Sequence, residues 1–324
     1  MRYIINKSID PHFNMAFDQW CLEREQFDEP VFYLWQNRPS VIIGLNQNAW
    51  GEVNLPYLQQ HDITLARRVT GGGAVYHDLQ NLNYTIVGRS TDLEKDYPRY
   101  ATMIADALRA LGVEAEVSGR NDILVRGRKV SGFAKRVWKD RLMVHGTLMY
   151  DVDLDTLTRV LDTPASKMHA KGVASVRSRV ANLRDFLPGV KGVADLKARL
   201  CSILAGGDSP VPLTNEDIKS IEELAERRFR SWEWNWGHSP KADLVRSGKL
   251  PCGTLTAHIC LDKGLISDIS LSGDYLGSLP SKAVEDILRG CRYDRDAILE
   301  RLAAIPVGAY FEKTTPEELS GVVI

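Results

Sequence analysis

Arg67-Arg68-Val69-Thr70-Gly71-Gly72-Gly73-Ala74-Val75-Tyr76-His77-Asp78 is the stretch on which the reading of this chain turns. Three consecutive glycines remove every side chain, allow positive φ, and let backbone N–H groups come close to a bound group. The two arginines before them supply fixed positive charge for a phosphate or carboxylate. Three glycines also suit a plain strand-to-strand turn; the flanking Arg-Arg and His-Asp favour a ligand. The pattern is neither the G-x-x-x-x-G-K-[ST] phosphate loop nor a G-x-G-x-x-G turn opening a helix.

Outward from this loop, apolar runs at Val31–Trp35, Ser40–Leu45 and Leu82–Val87 read as buried strands. Asp10-Pro11 is set to start a helix, Asp as N-cap and Pro in the first turn, with Phe13, Phe17, Trp20 and Cys21 on one face. Tyr100, Ile104, Ala107, Leu108 and Leu111 make a second helical stripe closed by Gly112. Further strands are expected at Ile123–Val125, Val130–Ala134 and Met143–Tyr150, and helices over Leu154–Leu161 and Leu196–Leu204. Thr214 followed by Asp217 resembles a capping box. Strands outnumber helices early and do not alternate strictly with them. This predicts an α+β fold with a mixed or antiparallel sheet, not a doubly wound one. Ser231–Leu244 changes character, with tryptophans at 232, 234 and 236 followed by Gly237 and Pro240, like a packed hinge. Beyond it, alternation at Leu255, Ala257 and Ile259, a turn at Asp262-Lys263-Gly264 and two short helices describe a small second domain. The expected division is 1–244 and 245–324.

Composition narrows the function classes. Hydrophobic residues make up 44% of the 324, enough for a real core, and no window approaches a membrane span. The five cysteines are scattered, without a C-x-x-C pair, which argues against a disulfide framework or a zinc site. With no secretory h-region at the start, a cytoplasmic location is expected. A net charge of −1 conceals 14 Lys/Arg against 6 Asp between Arg120 and Arg184. That excess suits phosphate-bearing ligands or an acidic partner, or equally a set of separate solvated faces. The cations cluster around glycine turns, with no helix face or aromatic platform for nucleic acid.

Within that interval, Gly119-Arg120-Asn121-Asp122 offers carboxylate and carbonyl oxygens that could hold Mg²⁺ on a nucleotide. Lys129 lies between Arg128 and a strand carrying Ser131-Gly132; taken singly, a lysine is usually a surface charge. His145-Gly146-Thr147-Leu148 reads as a strand with a satisfied histidine, and Lys171–Val180 as a loop carrying three cations among small residues.

Together and in this order, these segments resemble the A-type lipoate–protein ligases. The matching elements are RR-x-[ST]-GGGAVYHD at Arg67–Asp78, GRND-I at Gly119–Ile123, RKVSG-x-A at Arg128–Ala134, HGTL at His145–Leu148, KG-x-x-SVRSRV-x-NL at Lys171–Leu183, and WEWN-x-G-x-[SA]P at Trp232–Pro240. The resemblance covers essentially the whole chain. It implies a catalytic domain sharing its fold with biotin ligases, plus an accessory domain that changes orientation during the reaction. It further implies that free lipoate is activated by ATP and Mg²⁺ as lipoyl-AMP and passed to a lysine of lipoyl carrier domains, the 2-oxoacid dehydrogenase E2 subunits and glycine cleavage H protein.

Carried over by position, Lys129 is the catalytic residue, touching the acyl carboxylate and the α-phosphate. The nucleotide would be contacted by Arg68, Gly73, Ala74, Val75, Tyr76, Asn121, Asp122, Lys129, Lys171, Ser178 and Arg179. Lipoate would be contacted by Arg68, Thr70, Gly72, Gly73, His77 and Lys129, with Asp122 as the Mg²⁺ ligand. Three departures stand out: Thr70 for the commoner Ser, Gln80 where Gly is usual, and Phe133 where the family has a small or polar residue. Phe133 is expected to narrow the acyl pocket or shift the loop packing. An octanoyl- or lipoyl-transferase working through a cysteine thioester is disfavoured, since no cysteine lies between Cys21 and Cys201. A transferase that takes preformed lipoyl-AMP shares the motifs. A biotin ligase lacks support because the G-R-G-R-x-G loop is absent.

Overall fold

The computed structural model describes residues 1–24, 29–119, 121–161, 179–237, 244–262 and 264–324. The chain opens with β1 (Arg2–Tyr3) and α1 (Pro11–Glu23), where Asp10 caps the His12 N–H and Pro11 takes the first helical position. Strands β2 (Val31–Trp35) and β3 (Ser40–Ile43) follow. Two short helices, α2 (Ala49–Glu52) and α3 (Leu55–Gln60), lead into β4 (Thr64–Arg67). After the glycine loop come β5 (Val75–His77), β6 (Asn81–Arg89) and α4 (Leu93–Ala110). A run of antiparallel strands completes the large sheet: β7 (Ala115–Ser118), β8 (Asp122–Val125), β9 (Arg128–Trp138) and β10 (Arg141–Met149).

The large sheet has seven strands in the order β1-β2-β6-β10-β9-β8-β7, and the small sheet orders β4-β3-β5. Among the described strands, β1–β2 and β3–β4 pair in parallel and the other pairs are antiparallel. The sheet is therefore mixed and mainly antiparallel. Its two faces bury different helices because side chains alternate across a strand. Phe32, Leu34, Tyr84, Ile86, Leu142 and Val144 form one core with Tyr100, Ile104 and Leu108 of α4. On the reverse face, Tyr33, Trp35, Val87 and Met143 pack with Phe17 and Cys21 of α1. Burying each large apolar side chain contributes roughly 1.5–3 kcal/mol.

Four described α-helices follow in the first part of the chain: α5 (Leu154–Val160), α6 (Val193–Ala205), α7 (Asn215–Leu224, with the Thr214/Asp217 capping box) and α8 (Trp232–Asn235). The tryptophan part of the expected packed hinge is described, while residues 238–243, with Pro240, lie outside the described residues. The described part forms a short helix held to β4, where the Arg67 guanidinium donates to the carbonyls of Trp234 and Asn235 and Trp234 Nε1 donates to the Arg67 carbonyl. The last sheet, β11 (Leu244–Leu250), β12 (Gly253–Asp262) and β13 (Leu265–Gly273), is an antiparallel meander. It shares a separate core with α9 (Lys282–Leu288), α10 (Arg295–Ala303) and α12 (Pro316–Val323), which flank the short α11 (Val307–Tyr310).

Candidate active site

A cleft of ≈130 Å³ lies on the α1 face of the large sheet, with the small sheet as its opposite wall. Its floor crosses four strands, from Trp35 on β2 through Asn83 on β6 and His145 on β10 to Gly132 and Lys129 on β9. Met15, Ile42, Val75 and His77 close one side, and Arg68 with Gly72–Ala74 forms the rim.

Lys129 reaches this face because β9 is irregular. The β8–β9 register shifts between Ile123 and Leu124, and Val130 and Phe133, three residues apart, both enter the core beneath α4. The bulge therefore resets the alternation and turns Lys129 to the side of Gly132. Gly132 makes room for it: a Cβ there would lie 2.9 Å from Lys129 Nζ. The ammonium pairs with Asp122 Oδ1 at 2.8 Å. Beyond the segment at 162–178, the chain returns beside this lysine, where the Ala181 N–H donates to the Lys129 carbonyl at 2.9 Å.

A buried hydrogen-bond chain supports the floor. Asp18 on α1 accepts from His145 Nδ1 at 2.6 Å with one oxygen, and from Tyr33 Oη at 2.5 Å and Thr85 Oγ1 at 2.9 Å with the other. His145 Nε2 then accepts from Thr70 Oγ1 at 2.7 Å, and that hydroxyl oxygen accepts from Arg68 Nε. Arg68 spends most of its remaining donors on the carbonyls of Ile42, Gly71 and Gly73, so it braces the glycine loop from within. Burial and the neighbouring Arg67 lower its pKa to about 10, leaving it charged at neutral pH. His77 is the second cleft histidine. Burial, then Arg68 and His145, lower its pKa to about 3, so it is neutral.

Of the residues singled out from the sequence, the cleft gathers Arg68, Gly72, Gly73, Ala74, Val75, His77, Asn121 and Lys129. Thr70 stands behind His145, and Asp122 behind Lys129 as its ion-pair partner. Tyr76 turns away. On β5 its neighbours Val75 and His77 face the cleft, so strand alternation sends Tyr76 into the cluster with Val41 and Met149. Arg179 is exposed, and Lys171 and Ser178 lie outside the described residues, as does Arg120. Phe133 borders the cleft and sets its ring against Tyr97 of α4 at 5.8 Å. Sequence reasoning missed Met15, Asp18, Trp35 and Asn83. The one available signal was Asp18 itself, a charge on the apolar face of α1 one residue after Phe17.

The C-terminal unit meets the glycine loop directly. The Gly72 N–H donates to the Tyr275 carbonyl at 3.3 Å, and a Cβ on Gly71 would lie 2.6 Å from that oxygen. Gly72 itself takes φ +92°, where a side chain would be strained. The Gly273 N–H donates to the Asn46 carbonyl, and Lys135 pairs with Glu312 at 2.9 Å. Across this seam, burial and Asp274 raise the carboxyl of Glu52 to about 7.

The chain is similar to known proteins along its whole length. Residues 10–205 match the lipoyl protein ligase A/B catalytic domain, and residues 239–322 the bacterial lipoate protein ligase C-terminus. Lipoate-protein ligase LplJ of Bacillus subtilis is 36% identical over 330 residues, covering 100% of both chains. A bi-partite lipoate protein ligase from Thermoplasma acidophilum, described alongside its E2 lipoyl domain as an archaeal lipoylation system, superposes with TM-score 0.68 at 30% identity, covering 75% of this chain and 98% of that one. A lipoate-protein ligase A bound with ATP gives TM-score 0.64 at 28% identity, covering 72% of this chain and 97% of that one.

Proposed function

The chain belongs to the lipoate–protein ligases, and from that premise we propose that its cleft joins free lipoate to ATP as lipoyl-AMP and then passes the lipoyl group to a lysine of a lipoyl carrier domain. The observation that carries this reading is Lys129, an ammonium turned onto the cleft floor over Gly132 and countered by Asp122. A lipoate oxygen attacks the α-phosphorus of ATP and pyrophosphate leaves with the broken P–O bond. The carrier amine, having lost a proton, then attacks the mixed anhydride and expels AMP. Both steps build charge on oxygens that a preorganised ammonium stabilises. Lys129 bridges the acyl and phosphate oxygens in this scheme, while the Gly73–Val75 backbone and Asn121 hold the nucleotide.

The described residues contain no cluster of three metal-ligating side chains. Asp122 has one oxygen whose only described partner is Lys129, so it fits an Mg²⁺ held mainly by nucleotide phosphates. The ion would supply charge neutralisation between the two anions. The partner we infer is a carrier domain of the kind named for the archaeal relative, an E2 lipoyl domain. A cytoplasmic setting fits five free cysteines. None of those cysteines lines the cleft, which speaks against a thioester transferase.

The deciding assay mixes the protein with free lipoate, Mg-ATP and an apo lipoyl domain and follows the mass of the carrier. Gain of one lipoyl group from the free acid is the expected result; gain only from supplied lipoyl-AMP would make the protein a transferase. We read residues 245–324 as an accessory domain that helps form the adenylate, through the Tyr275 carbonyl on Gly72. A chain ending near Leu244 should then transfer from supplied lipoyl-AMP yet release pyrophosphate poorly. Intact adenylation with blocked transfer would make that domain a carrier-docking module.

A further inference from the structure

The C-terminal unit holds both sides of the cleft at once. On the rim side, the Tyr275 carbonyl accepts from the Gly72 N–H at 3.3 Å, and the Gly273 N–H donates to the Asn46 carbonyl at 2.9 Å. On the floor side, Glu312 Oε1 pairs with Lys135 Nζ at 2.9 Å, and Lys135 is on β9, the strand that also carries Lys129 and Gly132. Within the unit these two holds are one piece. The Glu312 N–H donates to the Leu276 carbonyl at 3.1 Å and the Ser278 N–H to the Ala309 carbonyl at 3.0 Å, while a Cβ on Gly277 would run into the Tyr310 carbonyl. A shift of Glu312 is therefore carried to Tyr275 and the glycine loop.

The pair is built to be particular rather than strong. Lys135 is 11% exposed and Glu312 16%, so both ions are largely out of water. The ammonium also lies 4.0 Å from the centre of the Tyr97 ring, which is itself set against Phe133. That cation–π contact, with β9 paired to β10 over Phe133–Trp138, keeps Lys135 in one place at the seam. Glu312 Oε1 is buried, with Lys135 as its one described partner. An enclosed ion pair adds little net stability, because each ion gives up its hydration. Yet it penalises any docking that leaves one charge unmatched. It selects one seat for the C-terminal unit.

That seat matters most where two ligands must be brought together. Before adenylation the acyl oxygen and the α-phosphorus belong to separate molecules, and an error of about an ångström in the gap between rim and floor is costly in rate. Once joined as lipoyl-AMP, they no longer depend on that gap.

We propose that Lys135 and Glu312 are positioning residues for adenylation, their ion pair seating the C-terminal unit so that Tyr275 holds the glycine loop at a fixed distance from β9. The proposal rests on the ligase reading above for the step affected, and on the free protein for the seat.

The test compares Glu312→Gln, Lys135→Met, their double variant and Lys135→Arg in the full-length protein. The first readout needs no ligand: amide hydrogen exchange at Gly72 and Gly273, with Tyr84 and Ile86 of β6, paired on both sides, as internal controls. Each of the first two variants should lose roughly tenfold in protection at the seam amides with β6 unchanged, and the double variant no more than either alone. Lys135→Arg keeps the charge and the ring contact and should stay within about threefold of wild type. The second readout separates the half-reactions. Pyrophosphate release from lipoate and Mg-ATP should fall roughly tenfold in the first two variants, while transfer from supplied lipoyl-AMP to an apo lipoyl domain stays within about twofold. Unchanged seam amides, a double variant losing ~100-fold, or Lys135→Arg losing as much as Lys135→Met each overturn the seating by this ion pair. Faster exchange in β6 as well makes the pair a folding contact, and equal losses in both half-reactions make it indifferent to adenylation; either overturns the positioning role. If the wild type releases no pyrophosphate from lipoate and Mg-ATP, the ligase reading falls, while the seam amides still decide the seat.

Discussion

The two faces of the seven-stranded sheet are made by the same strands and do opposite things. Beneath α4, the residues Phe32, Leu34, Ile86, Leu142 and Val144 form an apolar surface with no chemistry to perform. Under α1, the alternate positions Tyr33, Thr85 and His145 are just as buried but polar, and all three are tied to Asp18. The first face sets how stable the sheet is. The second fixes the geometry of the cleft, and it does so by satisfying every oxygen of a buried carboxylate. A charge taken out of water is tolerated only when partners replace the lost hydration. Asp18 has three: a phenol, a hydroxyl and an imidazole.

The largest effect expected from breaking this contrast is therefore on stability from the polar side. Asp18→Ala leaves Tyr33 Oη, Thr85 Oγ1 and His145 Nδ1 without their acceptor and should cost about 3–5 kcal/mol in chemical denaturation. A loss below about 1 kcal/mol would show that the polar face is held by packing alone. Next comes Lys129→Ala, which should reduce both adenylation and transfer by about 10²–10³, roughly 3–4 kcal/mol in barrier, with Tm unchanged. The Lys129 side chain is about one-third exposed and its pair with Asp122 is equally open, so little folding free energy should rest on it. Activity within threefold of wild type in both half-reactions would remove Lys129 from the mechanism.

What could be read from the chain beforehand follows the same division. Local signals carried the apolar side: Asp10-Pro11 starts α1 as expected, the Tyr100–Leu111 stripe is the buried face of α4, and Gly112 ends it with φ +91°. The glycine loop and Lys129 were singled out by the family resemblance of the motifs around them, since taken alone the loop also suited a turn and the lysine a surface charge. The polar side was not legible. Asp18 and His145 stand 127 positions apart, and nothing local to either announces the other. His145 alone suggested a satisfied histidine, which it is, but by a carboxylate at the cleft floor. The side of β5 taken by the Tyr76 ring could have been read from strand alternation, which sets it opposite His77. What the tryptophans at 232, 234 and 236 pack against was not legible, because the anchor of Trp234, Arg67, is far away in sequence.

The finest test of the contrast uses two glycines on adjacent strands. Gly146 of β10 faces the α4 core, where an added Cβ would lie 2.5 Å from Tyr84 Oη, 2.6 Å from Tyr84 Cζ and 2.8 Å from the Gly132 carbonyl. A buried ring and a strand backbone have nowhere to go, so Gly146→Ala should destabilise by about 1–3 kcal/mol through overpacking. Gly132 of β9 faces the cleft, and there the crowding atoms are Cε and Nζ of Lys129, both at 2.9 Å. The end of a lysine side chain can swing aside at little cost, so Gly132→Ala should change stability by less than about 1 kcal/mol. What it displaces is the ammonium. Misplacing a catalytic group by about an ångström is costly in rate, so kcat for pyrophosphate release should fall roughly tenfold or more. The measurement is a paired denaturation curve and single-turnover adenylation assay for each variant. If Gly132→Ala unfolds the protein as readily as Gly146→Ala does, the two faces are not mechanically distinct. If it leaves kcat untouched, the path of Lys129 over Gly132 is not the one used in catalysis.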